Sequence, residues 1–346
     1  MLTIGNSGDN IASDYLDRAT KMLAGRRTGD QANSVKAIEI LNKTQFALGK
    51  RTFIRFPPDM PFLEALGTCE TFACIREAHL LPKGKAKFNF PQFIIAGYSK
   101  SATTSLFRYL NTHPSTMHPK KKEPALFTDR CMYIGKKVWC PPHRVREYIT
   151  EILKVQKFVD NSGNTAHYEA TPRIFDLGPD VAEILYDLMP WLKIVASLRE
   201  PISRSISKYV MFKEKFGKGC FVNNTLVDCL LHDDERFYGN PKRKYYSLPL
   251  SYWVDHFPVD QIHLIQYEDL VGERQSEELQ KVKEFIGLDA KLTPNELDFG
   301  LANCRHCRIH PEGWPMTEKD YKKLIKRVTP DVEEYANVVE YFDVAR

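Results

Sequence analysis

The run Phe93-Ile94-Ile95-Ala96 constrains this chain more than any other feature. Four apolar residues end on Gly97 and pass at once into the Ser/Thr-rich turn Tyr98-Ser99-Lys100-Ser101-Ala102-Thr103-Thr104-Ser105. So short and apolar a run predicts a strand buried on both faces, as in parallel sheets. Behind the turn, Leu106 and Leu110 recur at helical spacing, so strand passes into helix with no linker. The alternation returns twice. Asp180 predicts the N-cap of a helix carrying Val181, Ile184, Leu185 and Leu188 that runs to Pro190, and Leu192–Leu198 reads as the next strand. Ile262–Tyr267 reads as a third strand, ahead of a helix over Glu277–Ile286 closed by Gly287. Short apolar strands alternating with amphipathic helices predict an α/β fold, a central parallel sheet flanked by helices. Ligands bind such sheets beyond the carboxyl ends of the strands. Functional residues are therefore expected just after Ala96, Leu198 and Tyr267.

With 346 residues the chain has room for one large domain or two small ones. Hydrophobic residues make up 43% and charged residues 27%, which excludes a disordered chain. Residues 1–87 read as an N-terminal stem or extension packed on the core, and residues 88–346 as the main domain. Within the extension, Ser13–Leu48 is weakly amphipathic and broken by Gly25 and Gly29, and Pro57, Pro58 and Pro61 follow. No stretch of 18 apolar residues occurs, and Met1–Arg26 has no secretory h-region. The net charge of +5 suits an anionic ligand without calling for nucleic acid, and no nucleic-acid partner is expected. Positive charge gathers at Lys120, Lys121 and Lys122 and again over Lys319–Arg327.

Eight cysteines fall into close pairs: Cys69 and Cys74, Cys131 and Cys140, Cys220 and Cys229, Cys304 and Cys307. This grouping predicts local disulfides, at least Cys131–Cys140 and Cys220–Cys229, and an oxidising compartment. Sequons at Asn42 and Asn223 point the same way as candidate glycosylation sites. Cys304-Arg305-His306-Cys307 lacks a second Cys or His pair at finger-like spacing, so no metal site is expected.

Two segments carry the chemistry. Successive N–H groups where the first strand turns into a helix make an anion site, with Lys100 supplying full charge and Thr103 and Thr104 supplying hydroxyls. It is not a Walker A loop, because Lys100 follows the glycine by three residues and no second glycine comes after. The second segment is Leu198-Arg199-Glu200-Pro201. Arg199 at a strand end can grip a phosphate bidentately, and Ser207, along a helix that opens at Pro201, can add a hydroxyl. Two anion sites on one sheet suit a nucleotide phosphorylated at both ends.

Lys100-x-x-Thr103-Thr104 after one strand and Arg199 with Ser207 after a later one resemble the sulfotransferase signature. The likeness covers roughly Phe88 to Tyr341. It takes in Lys122-Glu123-Pro124-Ala125-Leu126-Phe127, Glu169-Ala170-Thr171-Pro172, and Tyr246-Ser247-Leu248-Pro249-Leu250 with Trp253, which are similar to segments of the Golgi carbohydrate sulfotransferases. Cys220–Leu226 and Trp314–Thr317 are most similar to the N-acetylgalactosamine 4-sulfate 6-O-sulfotransferases. The chain departs from the pattern at Ala102, where a glycine is usual, at Ala125, which replaces an aromatic or His, and at Ala170, where the heparan enzymes carry Lys.

The resemblance implies a single P-loop-like domain that binds 3′-phosphoadenosine 5′-phosphosulfate and needs no metal. Tyr98, Ser99, Lys100, Ser101, Ala102, Thr103 and Thr104 would hold the 5′-phosphosulfate, Arg199 and Ser207 the 3′-phosphate, and Tyr246 would join the nucleotide site. Glu123 would be the general base on an acceptor hydroxyl, and Lys100 would meet the charge developing on the leaving group in an in-line transfer. Lys122, Glu169 and Arg173 are placed at a carbohydrate acceptor of the acidic polysaccharide kind, while His118 and His167 read as structural or surface residues. The implied location is the Golgi lumen, with membrane attachment only through an anchor outside these residues. Three other readings compete: a sulfotransferase for a small alcohol, a P-loop kinase, and a non-catalytic module that binds acidic polysaccharide. The kinase lacks a strand carboxylate at Val195-Ala196-Ser197, and the module leaves the paired phosphate segments unexplained.

Overall fold

The computed structural model describes residues 56–134, 137–216, 226–232, 246–289 and 316–345. The strands are β1 (Phe93–Gly97), β2 (Thr116–Met117), β3 (Met132–Ile134), β4 (Lys137–Trp139), β5 (Ala166–Glu169), β6 (Lys193–Leu198) and β7 (Ile262–Gln266). The helices up to β6 are α1 (Phe62–Gly67), α2 (Phe72–Ala78), α3 (Thr103–Asn111), α4 (Pro142–Glu147), α5 (Val155–Asp160) and α6 (Pro179–Leu188). Beyond β6 lie α7 (Pro201–Phe216), α8 (Leu226–His232), α9 (Ser247–Val254), α10 (Tyr267–Val271), α11 (Gln275–Ile286) and α12 (Glu318–Ala345).

Five strands form one parallel sheet in the order β2-β5-β1-β6-β7, and β3 and β4 form a separate antiparallel hairpin. Every residue of β1 is buried, as are the last five of β6, so both faces of the sheet centre are covered. The chain leaves β1 toward β2 and β5 on one side and later returns to β6 on the other. The strand order therefore reverses between β1 and β6, the place where open α/β sheets form a ligand crevice. The segments singled out by sequence, after Gly97 and after Leu198, both emerge there.

Local sequence explains most element boundaries. Leu106 and Leu110 of α3 are fully buried against the sheet. Gly287 takes φ 84° at the end of α11, a conformation that glycine adopts without strain. Asp180 is not the cap of α6. Gly178 occupies that position with φ 88°, Pro179 takes the first helical place, and Asp180 lies in the first turn. Tyr267 does not extend β7; it opens the short helix α10. Strand β5 has no apolar run, yet all four residues of Ala166-His167-Tyr168-Glu169 are buried. His167 is satisfied inside by Leu153 O at 2.6 Å and Thr165 Oγ1 at 3.0 Å, and burial lowers its pKa to about 4. Its role is structural.

Residues 56–87 contribute Phe62, Leu66, Phe72 and Ile75 to the same core. Cys69 is bonded to Cys74, and Cys131 to Cys140 across the mouth of the β3–β4 hairpin. Cys229 is also disulfide-bonded; its expected partner Cys220, with Cys304, Cys307, Asn42 and Asn223, lies outside the described residues. No helix among the described residues is long and apolar enough to cross a membrane.

Candidate functional site

The loop between β1 and α3 is built around two points of steric necessity. A Cβ on Gly97 would meet Phe175 Cβ at 2.7 Å, so only glycine lets the turn Ile174–Asp176 press on the strand end. Lys100 and Ala102 take φ 73° and φ 57°, left-handed values that cost a non-glycine residue about 1–3 kcal/mol each. Ala102 is the N-cap of α3 and provides no side-chain cap. The first N–H groups of this helix have no intrahelical acceptor, so those of Thr103 and Thr104 point out of its positive end.

The loop carbonyls are turned the other way. Ser101 N–H donates to Tyr98 O at 3.2 Å, Arg204 Nε to Ser99 O at 3.2 Å, and Arg199 Nη1 to Lys100 O at 3.1 Å. Tyr98 itself faces inward: its N–H bonds Ser197 O, and its ring packs on Phe175 and Tyr246 at 4.9 and 4.8 Å. Ser101 Oγ is buried without a hydrogen-bond partner. Thr103 is buried, and Ser99, Lys100, Ala102 and Thr104 are half-buried.

Arg199 lies with its guanidinium over the Tyr267 ring at 4.5 Å, and its Nε is buried with no partner. Tyr246 stands behind it, donating its hydroxyl to Arg199 O, and burial raises the Tyr246 pKa to about 12. Asp331 of α12 holds Tyr246 in turn, accepting from Tyr246 N at 2.9 Å and Ser247 Oγ at 2.6 Å. Ser207 is half-buried two turns along α7. The start of α7 is closed by Glu200, whose carboxylate accepts from Ile202 N at 2.8 Å and Ser203 N at 2.6 Å. Of the two helix starts at this crevice, α3 is therefore open to an anion and α7 is not.

Sequence reasoning missed Arg204. It is 8% exposed, with Nη2 3.1 Å from Asp176 Oδ2 and its guanidinium over Tyr98 at 4.7 Å and Tyr246 at 5.2 Å. Burial opposes its charge, but Asp176 and the tyrosines outweigh that and raise its pKa. The only sequence signal was an arginine five residues after Arg199, in the helix that opens at Pro201.

The carboxylates come together through backbone pairing. Glu123 N–H donates to Ala170 O at 3.0 Å, Ala125 N–H to Thr171 Oγ1 at 3.3 Å, and Thr171 Oγ1 to Glu169 Oε2 at 3.0 Å. Glu123 is 54% exposed and ion-paired with Lys122. Glu169 is 3% exposed, and burial, opposed by Thr171 and helped by the Glu123 charge, pushes its carboxyl up to about 8. Glu123 thus stands in solvent, while its neighbour Glu169 holds a proton at neutral pH. Arg173 is exposed and reaches Asp129 at 3.2 Å, linking the end of β5 to the turn after Glu123. Ala170, at the position where the resemblance leads one to expect a lysine, is fully buried.

Beside Glu123 lies a cavity of about 380 Å³. Lys120, Lys121, Arg130 and Arg144 line it with Glu147, around apolar walls from Pro124, Leu126, Tyr148 and Ile152. Tyr148 also faces inward: burial raises its pKa first, and the Glu169 charge second. The cavity is therefore one side chain away from the carboxylate pair.

Residues 90–309 match the family model described as a sulfotransferase domain. The membrane-associated sulfotransferase kil1 of Dictyostelium discoideum is 25% identical over 330 residues, a match covering 72% of this chain and 65% of that protein. The human heparan sulfate glucosamine 3-O-sulfotransferase 5 is 26% identical over 255 residues, covering 68% of each chain. The crystal structure of a sulfotransferase from Alicyclobacillus acidocaldarius superposes with a TM-score of 0.51 at 22% identity, covering 72% of this chain and 96% of that one, and so shares the fold.

Proposed function

The chain belongs to the sulfotransferase domain family, and on that premise we propose that it moves a sulfuryl group from 3′-phosphoadenosine 5′-phosphosulfate to a hydroxyl of an anionic carbohydrate. One observation carries the reading. Arg199 bonds the loop that ends in the open start of α3, and keeps a buried Nε that no protein atom satisfies. A buried guanidinium nitrogen without a partner is costly unless a ligand completes it. Ser101 Oγ, buried and unpartnered in the same loop, fits the same nucleotide.

The nucleotide supplies the activated sulfuryl group. The start of α3, with Thr103 and Thr104, holds its 5′ end, and Arg199 and Ser207 hold its 3′-phosphate. Lys100, at the tip of the loop, neutralises charge developing on the leaving phosphate oxygen. Glu123 takes the proton of the acceptor hydroxyl; it is exposed and ion-paired with Lys122. Glu169, neutral at pH 7, suits a hydrogen-bond donor to the acceptor better than a resting base. The cationic cavity beside Glu123, with apolar walls, supports an anionic sugar over a small neutral alcohol. Lys122 and Arg173 flank that approach.

The disulfides Cys69–Cys74 and Cys131–Cys140 support an oxidising location such as the Golgi lumen. The residues that liken the chain to N-acetylgalactosamine 4-sulfate 6-O-sulfotransferases lie mostly outside the described residues, and the named human relative acts on heparan sulfate. We leave the acceptor at the level of an anionic polysaccharide. The test is calorimetric titration with adenosine 3′,5′-bisphosphate and ATP, followed by transfer of labelled sulfate to heparan sulfate, chondroitin sulfate, a neutral polysaccharide and small alcohols. Tight binding of the bisphosphate with labelling of a sulfated chain is expected. Preference for ATP, or labelling of small alcohols alone, overturns the reading.

A further inference from the structure

Three consecutive carbonyls of the loop, those of Tyr98, Ser99 and Lys100, are turned toward the protein. The first is held by the loop itself. The other two depend on guanidiniums from another element, Arg204 on Ser99 and Arg199 on Lys100. Two residues of the same short loop, Lys100 and Ala102, stand in the left-handed region without being glycine. A conformation of that kind persists only where its surroundings over-determine it. Within Tyr98–Thr104 the Ser101 N–H fixes only the Tyr98 carbonyl, and the open N–H groups of Thr103 and Thr104 are useful only if the other two carbonyls stay turned away as well.

We propose that Arg204 is the positioning residue of the phosphate-binding loop: through Ser99 O it holds the loop in the shape that presents its N–H groups to the 5′ end of the nucleotide. The role rests on reading Tyr98–Thr104 as the 5′-phosphosulfate site. Arg204 does not reach the ligand crevice. It is sealed between the Tyr98 and Tyr246 rings, and Asp176 fixes its other edge. Its planar fork therefore grips Ser99 O on one side and Asp176 on the other, which a lysine cannot do. Arg199 has a different task. It ties Lys100 O while keeping Nε for the 3′-phosphate, so its loss affects both ends of the nucleotide. Loss of Arg204 affects one.

That difference supplies the test. Wild type and Arg204→Gln are titrated with adenosine 3′,5′-bisphosphate and with adenosine 3′-monophosphate, which lacks the 5′ group. Arg204→Gln is expected to bind the bisphosphate about 10–100-fold more weakly, the scale of one lost charge-assisted hydrogen bond, and the 3′-monophosphate within about twofold of wild type. Arg204→Lys should not restore the bisphosphate affinity. Equal losses for both ligands would reduce Arg204 to a stability residue and overturn the proposal, as would no loss for either. Should Arg204→Gln fail to fold, Asp176→Asn keeps the guanidinium but releases its far edge. It is expected to show the same one-sided loss, about 3–10-fold, and an even-handed effect again overturns the proposal. Wild type binding neither nucleotide is a different failure, that of the functional reading itself.

Discussion

The two sides of the candidate site hold their charges in opposite ways. On the proposed nucleotide side, Arg199 and Arg204 are packed against aromatic rings and spend hydrogen bonds on backbone carbonyls of one loop. On the proposed acceptor side, Lys120, Arg144 and Arg173 stand in solvent and pair with Glu151, Glu147 and Asp129, all at least 40% exposed. Buried charges fixed by several partners make a rigid template, whereas exposed pairs hold a surface together weakly and are screened by salt. Under the proposed function, such an organisation would be strict toward the nucleotide and tolerant toward a variable, charged acceptor. Glu123 and Glu169 sit at the seam and divide in the same manner.

Breaking the seam has the largest expected effect. Glu123→Gln should lower turnover about 10²–10⁴-fold while leaving affinity for adenosine 3′,5′-bisphosphate near wild type. Retention of more than about a tenth of turnover in steady-state assays would move the base to another group. On the rigid side, Arg199→Ala should weaken the bisphosphate by about 2–5 kcal/mol in calorimetry, because it removes one member of a desolvated charge contact. Unchanged affinity would mean the buried guanidinium is structural.

Glu169 sharpens the contrast through pH. Its folded pKa of about 8 exceeds the ordinary 4.5, so the native state binds the extra proton between those values. Stability linked to this group is whole below about pH 4.5, falls across the window and is fully lost above about 8, on the order of a few kcal/mol. Glu169→Gln removes that titration, so its melting temperature should gain on wild type as the pH is raised from 5 to 8.5. Parallel melting curves across that range would show Glu169 to be an ordinary carboxylate. The smallest effects belong to the exposed cations. Lys121→Ala and Arg130→Ala should each raise KM for a sulfated acceptor a few-fold, about 0.5–1 kcal/mol, and 0.5 M salt should erase the difference. A loss that survives high salt would place them in a buried contact instead.

How far the sequence reaches differs between the same two sides. Strands β1, β6 and β7 and helices α3, α7 and α11 were legible because strand burial and helical periodicity are properties of contiguous residues. Lys100, Thr103, Thr104 and Arg199 could be proposed for the same reason, since each lies where a strand ends and a helix begins, and Ser207 was proposed from its place two turns along the helix that follows. Strand β5 was not, because His167 and Glu169 interrupt its apolar pattern; Leu153 and Thr165 satisfy His167, and Thr171 donates to one carboxylate oxygen of Glu169. Nor were α1 and α2, whose apolar faces have meaning only against a core that residues further along provide.

The sequence by itself determined the parallel sheet, the strand ends at which functional residues were expected and the residue types proposed to meet an anion there. All of these follow from local steric and hydrogen-bonding rules. Tertiary structure decided which groups are charged, which are held and which are free. Arg204 grips a loop 105 residues away, Asp331 supports Tyr246 from α12, and Glu169 keeps its proton because strand burial strips it of water. Desolvation and long-range hydrogen bonds depend on what packs around a residue, and no window of sequence contains that.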